Sequence, residues 1–81
     1  MKTRFSKKFN KELPLYVFHI RDLREKRGLS QEQVAKILGT SQTMYARYER
    51  GANDLPIHHL VKLCEYYGVT TDSMLGMEEE E

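Results

Sequence analysis

The sequence predicts an all-α fold of five helices, and three observations predict it. Apolar residues recur at helical spacing along most of the chain. The apolar stretches are punctuated by capping residues and glycines, notably Ser30, Gly39, Thr40 and Ser41, Gly68, Thr70 and Gly76. There is no internal repeat and no strand-like alternation. The reading divides the chain into a basic arm at 1–12, a helical domain at 13–76 and an acidic tail at 77–81.

Residues 1–12 are basic and polar, with Phe5 and Phe9 as their large apolar groups. Two readings stay open for them. Lys2, Arg4, Lys7, Lys8 and Lys11 lie along phosphates or enter a minor groove; or Phe5 and Phe9 dock on the domain or on a second subunit. Pro14 suits the first turn of a helix, where its missing N–H is not needed. Tyr16, Ile20, Leu23 and Arg27 then recur at helical spacing, Val17 and Phe18 broaden the stripe, and Gly28 ends it. Leu29 anchors the following turn.

The second and third helices form the most informative stretch, residues 30–50. Ser30 is an N-cap candidate, and Gln33 three residues on completes a capping box. Val34, Ala35, Ile37 and Leu38 follow at helical spacing. Gly39 ends this helix in the left-handed conformation that glycine enters at little cost. Thr40 or Ser41 caps the next helix, placed at 41–50. On a wheel of about 100° per residue, Gln42, Ala46, Arg50, Thr43 and Arg47 fall within one arc of about 140°. Met44, Tyr48 and Tyr45 fall on the other side and face inward. The first arc carries the groups that read base edges: Gln pairs with adenine, Arg with guanine, and Thr or Ala methyls meet the thymine methyl.

These residues resemble the helix-turn-helix of the phage Cro and repressor class, the XRE-type bacterial regulators. With Gln31 as the first motif position, the family's small residue falls on Ala35 and its turn glycine on Gly39. Its inward apolar positions fall on Val34, Tyr45 and Tyr48, and the ending Arg47-Tyr48-Glu49-Arg50-Gly51 is also typical. Tyr45 departs from the Val or Ile usual there. The similarity covers roughly residues 16–76. It implies a lambda-repressor-like fold whose third helix enters the major groove of double-stranded DNA. It implies a structural salt bridge between Arg24 and Glu49, bracing the first helix against the third.

The resemblance and the wheel together assign roles. Gln42, Thr43 and Arg47 are expected at the bases. Gln31, Ser41, Met44, Arg50 and Asn53 are expected at the DNA backbone, with Met44 at the edge of the face. Asn53 belongs to the loop Gly51-Ala52-Asn53-Asp54-Leu55-Pro56, whose Gly, Asn, Asp and Pro are turn formers. The family often has Lys or Arg in this loop, whereas Asp54 opposes phosphate. Pro56 opens a fourth helix with Ile57, Leu60, Val61, Leu63, Cys64 and Tyr67 on its core face, and Gly68 closes it. Val69 continues the core. Thr70 caps a last short helix with Met74 and Leu75 facing in.

Composition narrows the function classes. Eighty-one residues make one domain, and 40% hydrophobic content suffices for a compact one. No apolar run is long enough to span a membrane, and the start has no secretory pattern. Together with one cysteine, which forms no internal disulfide, these features fit a reducing cytoplasm, and the resemblance implies a cytoplasmic, bacterial or phage nucleoid-associated protein. Net charge is only +1, but residues 1–27 carry nine Lys or Arg against three acids. Residues 28–81 carry four against nine. The basic half suits phosphate, and the acidic tail faces away from it. His58, His59 and Cys64 show no zinc spacing, so no metal, cofactor or small-molecule ligand is expected, and no enzymatic activity. The expected partner is double-stranded DNA, and the resemblance implies binding as a homodimer to regulate transcription, in the manner of a repressor. The alternative is a protein-interaction module of the same fold, such as an antitoxin or dimerisation unit, using Phe5, Phe9, Tyr16, Met74 and Met77.

Overall fold

The computed structural model of the chain describes residues 13–77. The expectations for the arm at 1–12 and for residues 78–81 of the tail lie outside the described residues. Among the described residues there are five helices and no strand: α1 Leu15–Lys26, α2 Gln31–Leu38, α3 Gln42–Arg50, α4 Ile57–Tyr67 and α5 Thr71–Leu75.

Local chemistry accounts for the helix ends. The Ser30 hydroxyl accepts from Gln33 N at 3.0 Å, and the Gln33 side chain accepts from Ser30 N at 2.8 Å, a reciprocal box. Of the two cap candidates for α3, Ser41 is the one used, accepting from Met44 N. Thr70 caps α5 through Ser73 N. Each such cap contributes about 1 kcal/mol. Gly39 and Gly51 end α2 and α3 with φ of 76°, a region that costs an L side chain. Pro14 stands one position outside the first turn: its ψ of 151° is extended, so it leads into α1 without joining it. The helix itself stops at Lys26, and Gly28 turns the chain two residues later.

Helices α2 and α3 pack closely on one another, α1 lies against α3 and α5, and α4 packs on α2 and α5. Ile20, Val34, Tyr45, Leu63 and Met74 meet at the centre with no more than 1% of their surface exposed. Four positions expected to face inward differ. Phe18 is exposed, because it lies roughly 200° around α1 from Tyr16 at helical pitch. Ile57 and Val61 are also exposed, Ile57 by 75%. The α4 stripe covered by the rest of the domain is centred on Leu63 and Tyr67, and no described element covers its Ile57 side. On the opposite flank the Tyr48 ring packs edge-on at 5.8 Å against His59, which is buried in place of those two. Met44, expected inward, is exposed at the rim of α3. Of the residues named for a protein-interaction module, Phe5 and Phe9 lie outside the described residues and Met77 is exposed. Met74 is buried, and Tyr16 is half-buried with its hydroxyl accepting from Leu55 N at 3.1 Å.

His19 of α1, and Arg27 just after it, tie the early part of the described chain to its last two helices. His19 Nδ1 donates to the Met74 carbonyl at 2.8 Å. Arg27 Nη2 donates to the Tyr67 carbonyl at 3.0 Å while its guanidinium lies over the Tyr66 and Tyr67 rings, 5.9 and 5.4 Å from their centroids. A cation at the C-terminus of α4 also complements the helix dipole.

Candidate nucleic-acid interface

Burial sorts α3 into two faces. Tyr45, Tyr48 and Glu49 are buried. Ser41, Gln42, Thr43, Met44, Arg47 and Arg50 are exposed, with Ala46 half-buried among them. Holding the second face outward requires the first to be fixed, and the fixing is largely polar.

Glu49 is the centre of that fixing, with 3% of its surface exposed. Arg24 reaches it with two donors, Nε to Oε2 at 2.7 Å and Nη2 to Oε1 at 3.0 Å. The Tyr45 hydroxyl donates to Oε2 at 2.6 Å, and Gln31 Nε2 donates to Oε1 at 3.1 Å. Four donors fill the four lone-pair positions of a carboxylate. Burial is the largest single influence and opposes ionisation. The hydrogen bonds from Arg24, Tyr45 and Gln31 outweigh it together and hold the carboxyl below its ordinary range. Arg24 is correspondingly held further protonated, chiefly by its hydrogen bond to Glu49. Its Nη1 also donates to the Leu29 carbonyl at 2.9 Å, so one guanidinium joins α1, the turn before α2, and α3. Burial, then the bond to Glu49, push the Tyr45 hydroxyl far above its usual range, so it remains a donor.

The Tyr45 ring at a position where a short aliphatic side chain is usual thus has a local explanation. The ring fills the core and its tip reaches the carboxylate one turn on. This partner was not legible beforehand; the Tyr–Glu spacing of four residues on one helix was the available signal.

On the outer face, the expected contact residues are joined in two pairs. Gln42 Nε2 donates to Gln31 Oε1 at 3.0 Å, so the first residues of α2 and α3 share one hydrogen bond. Arg47 Nε donates to Asn53 Oδ1 at 2.7 Å, which lays the guanidinium towards the loop after α3. Thr43, Met44 and Arg50 stand exposed between and beside these pairs. The Ser41 oxygen is engaged as the cap, which leaves its O–H to donate. Sequence reasoning placed the contacts one by one and missed both pairings, because each crosses between elements.

His58, His59 and Cys64 lie away from this face, on α4. The two imidazoles are 4.2 Å apart and tilted. Burial, then the neighbouring His58 and Lys62, lower the His59 pKa. Burial raises that of the Cys64 thiol. Among the described residues no helix is long and apolar enough to cross a membrane.

The same arrangement occurs in known proteins. A transcriptional regulator from Listeria innocua superposes with a TM-score of 0.76 at 23% identity, over 85% of this chain and 64% of that one. The P22 c2 repressor, solved with the synthetic operator 9T, gives 0.70 at 23% identity over 79% of this chain and 97% of that one. At such identities the likeness concerns the fold. In sequence, the chain is 37% identical over 60 residues to the cryptic phage CTXphi transcriptional repressor RstR of Vibrio cholerae, covering 74% of this chain and 54% of that protein. It is 33% identical over 60 residues to the regulator ImmR of Bacillus subtilis, covering 74% and 47%. The chain spans about half the length of these curated relatives. A family model described as helix-turn-helix matches residues 20–74. With the paired short helices, the buried Arg24–Glu49 contact and these relatives in agreement, the chain belongs to the XRE-type helix-turn-helix family.

Proposed function

We propose that this domain binds double-stranded DNA in a sequence-specific manner and regulates transcription, as a repressor, in the cytoplasm of a bacterial cell. The observation that carries the reading is the outer face of α3, where Gln42, Thr43, Arg47 and Arg50 are exposed on one arc above a face fixed by Tyr45, Tyr48 and Glu49. A helix so presented fits the major groove, with its N-terminal residues at the base edges. Gln42, Thr43 and Arg47 read bases. Ser41, Arg50 and Asn53 contact the backbone, as does the N-terminal end of α2 at Gln31. Met44 packs on a sugar or a thymine methyl at the rim. This chemistry needs no cofactor and no catalytic group.

The domain acts as a homodimer on two half-sites. The exposed Ile57 and Val61, one turn apart on α4, support this as a surface that a second copy covers. Two linked readers gain affinity without new base contacts. Sedimentation that finds only monomer at high concentration, with binding to single half-sites, would remove the dimer.

The deciding experiment is selection of bound duplexes from a random pool, run beside the Gln42→Ala/Arg47→Ala variant. The expected result is a motif for the wild type that collapses in the variant. A folded wild type that enriches no motif would overturn the reading in favour of a protein-interaction module.

A further inference from the structure

Arg47 and Asn53 are attached to each other twice, through the backbone and through their side chains. Gly51 enters the left-handed region at φ 76° and sends the chain back over the last turn of α3. Ala52 N then donates to the Arg47 carbonyl at 2.9 Å, and Asn53 N donates to the same carbonyl at 3.4 Å. Leu13 packs against this turn, so close that a Cβ on Gly51 would lie 2.6 Å from its Cδ2. The loop so placed holds the side chain above it, Arg47 Nε donating to Asn53 Oδ1 at 2.7 Å. A guanidinium only donates, so the Asn53 amide meets it with the carbonyl and turns its NH2 group away. We infer that Asn53 is a positioning residue for base reading: it occupies the Nε edge of Arg47, leaves the two Nη groups to read guanine, and donates its own NH2 to a phosphate. This rests on the DNA-reading function proposed above, and adds a hold on Arg47 to the backbone contact of Asn53.

A guanidinium can make a bidentate contact with Nε and one Nη, or with its two Nη groups together. Asn53 closes the first edge. The remaining edge presents two N–H donors side by side, which match guanine, whose O6 and N7 both accept. Adenine sets its N6 donor against one of them and is disfavoured. The hold is charge-assisted and short for a bond from nitrogen. Its anchor is the more fixed partner, since Asn53 is half-buried and Arg47 exposed. A long exposed side chain gives up rotamer freedom when it binds; one already tethered at Nε gives up less.

The test is selection from a random duplex pool with the wild type, Arg47→Ala, Asn53→Ala and Asn53→Asp, each checked for folding by circular dichroism. Asn53 does not sit at a positive φ, so both replacements enter without backbone strain. The wild type is expected to prefer guanine at the position that Arg47→Ala erases. In Asn53→Ala this preference, about tenfold or more for a bidentate guanidinium, falls several-fold at that position alone. The lost phosphate contact weakens all sequences alike and leaves the rest of the profile unmoved. Asn53→Asp separates the two roles. Its carboxylate still accepts from Nε, so the guanine preference is kept, while its charge opposes phosphate and lowers affinity for every duplex. In the free protein, the Arg47 Nε proton exchanges more slowly with solvent in the wild type and in Asn53→Asp than in Asn53→Ala. Loss of the guanine preference in Asn53→Asp as in Asn53→Ala would overturn the positioning, as would its full retention in Asn53→Ala, and either would leave the function standing. A wild type that selects no motif would overturn the function itself.

Discussion

Replacing Arg24 with Met should unfold this domain more readily than removing the whole buried polar cluster. Arg24→Met leaves the Glu49 carboxylate, 3% exposed, with only two neutral donors, Tyr45 and Gln31. Breaking a buried pair from one side costs about 3–5 kcal/mol. At ~0.05–0.15 kcal/mol per residue the whole domain has roughly 4–12 kcal/mol to lose. The melting temperature should therefore fall by at least roughly 12 °C, at about 4–8 °C per kcal/mol for a domain of this size. The triple variant Arg24→Met/Glu49→Met/Tyr45→Phe removes the cation, the anion and the hydroxyl that depends on it. It leaves no buried charge, so it should melt above Arg24→Met. The pH dependence follows the same logic. The carboxyl is held below the ordinary glutamate range in the folded state, so its stabilisation is complete above that range. It is lost as pH falls through the lower folded value, and the triple variant should lack this component. Thermal and urea melts by circular dichroism at neutral and acidic pH measure all three quantities. An Arg24→Met variant within about 1 kcal/mol of the wild type, or one more stable than the triple variant, would refute the reasoning.

Further outcomes follow from the same geometry. Arg47→Ala should cost roughly 1–3 kcal/mol on the preferred duplex and relax the preference at one base position, measured by binding to single-substitution duplexes. Arg50→Ala should instead weaken all sequences alike and reduce the salt slope of binding by about one. His59 is buried against Tyr48 with its pKa lowered from the ordinary imidazole range, so stability should decline as pH drops below that range. His59→Leu should flatten this part of a pH–stability profile followed by denaturant melts. Gly39→Ala isolates the cost of a positive φ, because a Cβ there would meet nothing within 4 Å. A loss of about 1–2 kcal/mol in a urea melt is expected.

Local signals in the sequence were informative wherever a residue acts on its own neighbours. The Ser30–Gln33 box, the left-handed Gly39 and the cap at Thr70 are decided within a few residues, and pattern alone located them. The division of α3 into Tyr45 and Tyr48 against Gln42, Thr43 and Arg47 follows from helical pitch in the same way. Pitch fails where burial depends on what lies opposite. Ile57 and His59 flank the same α4 stripe, and only the Tyr48 ring makes one of them interior. Side-chain partners across elements were hidden for a similar reason. Gln31 and Gln42 are eleven residues apart, and their bond exists because α2 and α3 begin side by side. Arg24 and Glu49 came from family resemblance; nothing in residues 24 and 49 themselves says that they meet.

The bond from His19 to the Met74 carbonyl bears on how the domain is made. It spans 55 residues, and the Arg27 bond to the Tyr67 carbonyl spans 40. On a ribosome adding about 5–20 residues per second, His19 waits roughly 3–11 s for its partner to be synthesised. Helices α2 and α3 can pair during that interval, since a few residues separate them. The α1 face that meets α5 thus stays uncovered in the nascent chain after α1 has met α3. The interval in which this domain is most exposed to proteases and to aggregation is set by the translation of α4 and α5.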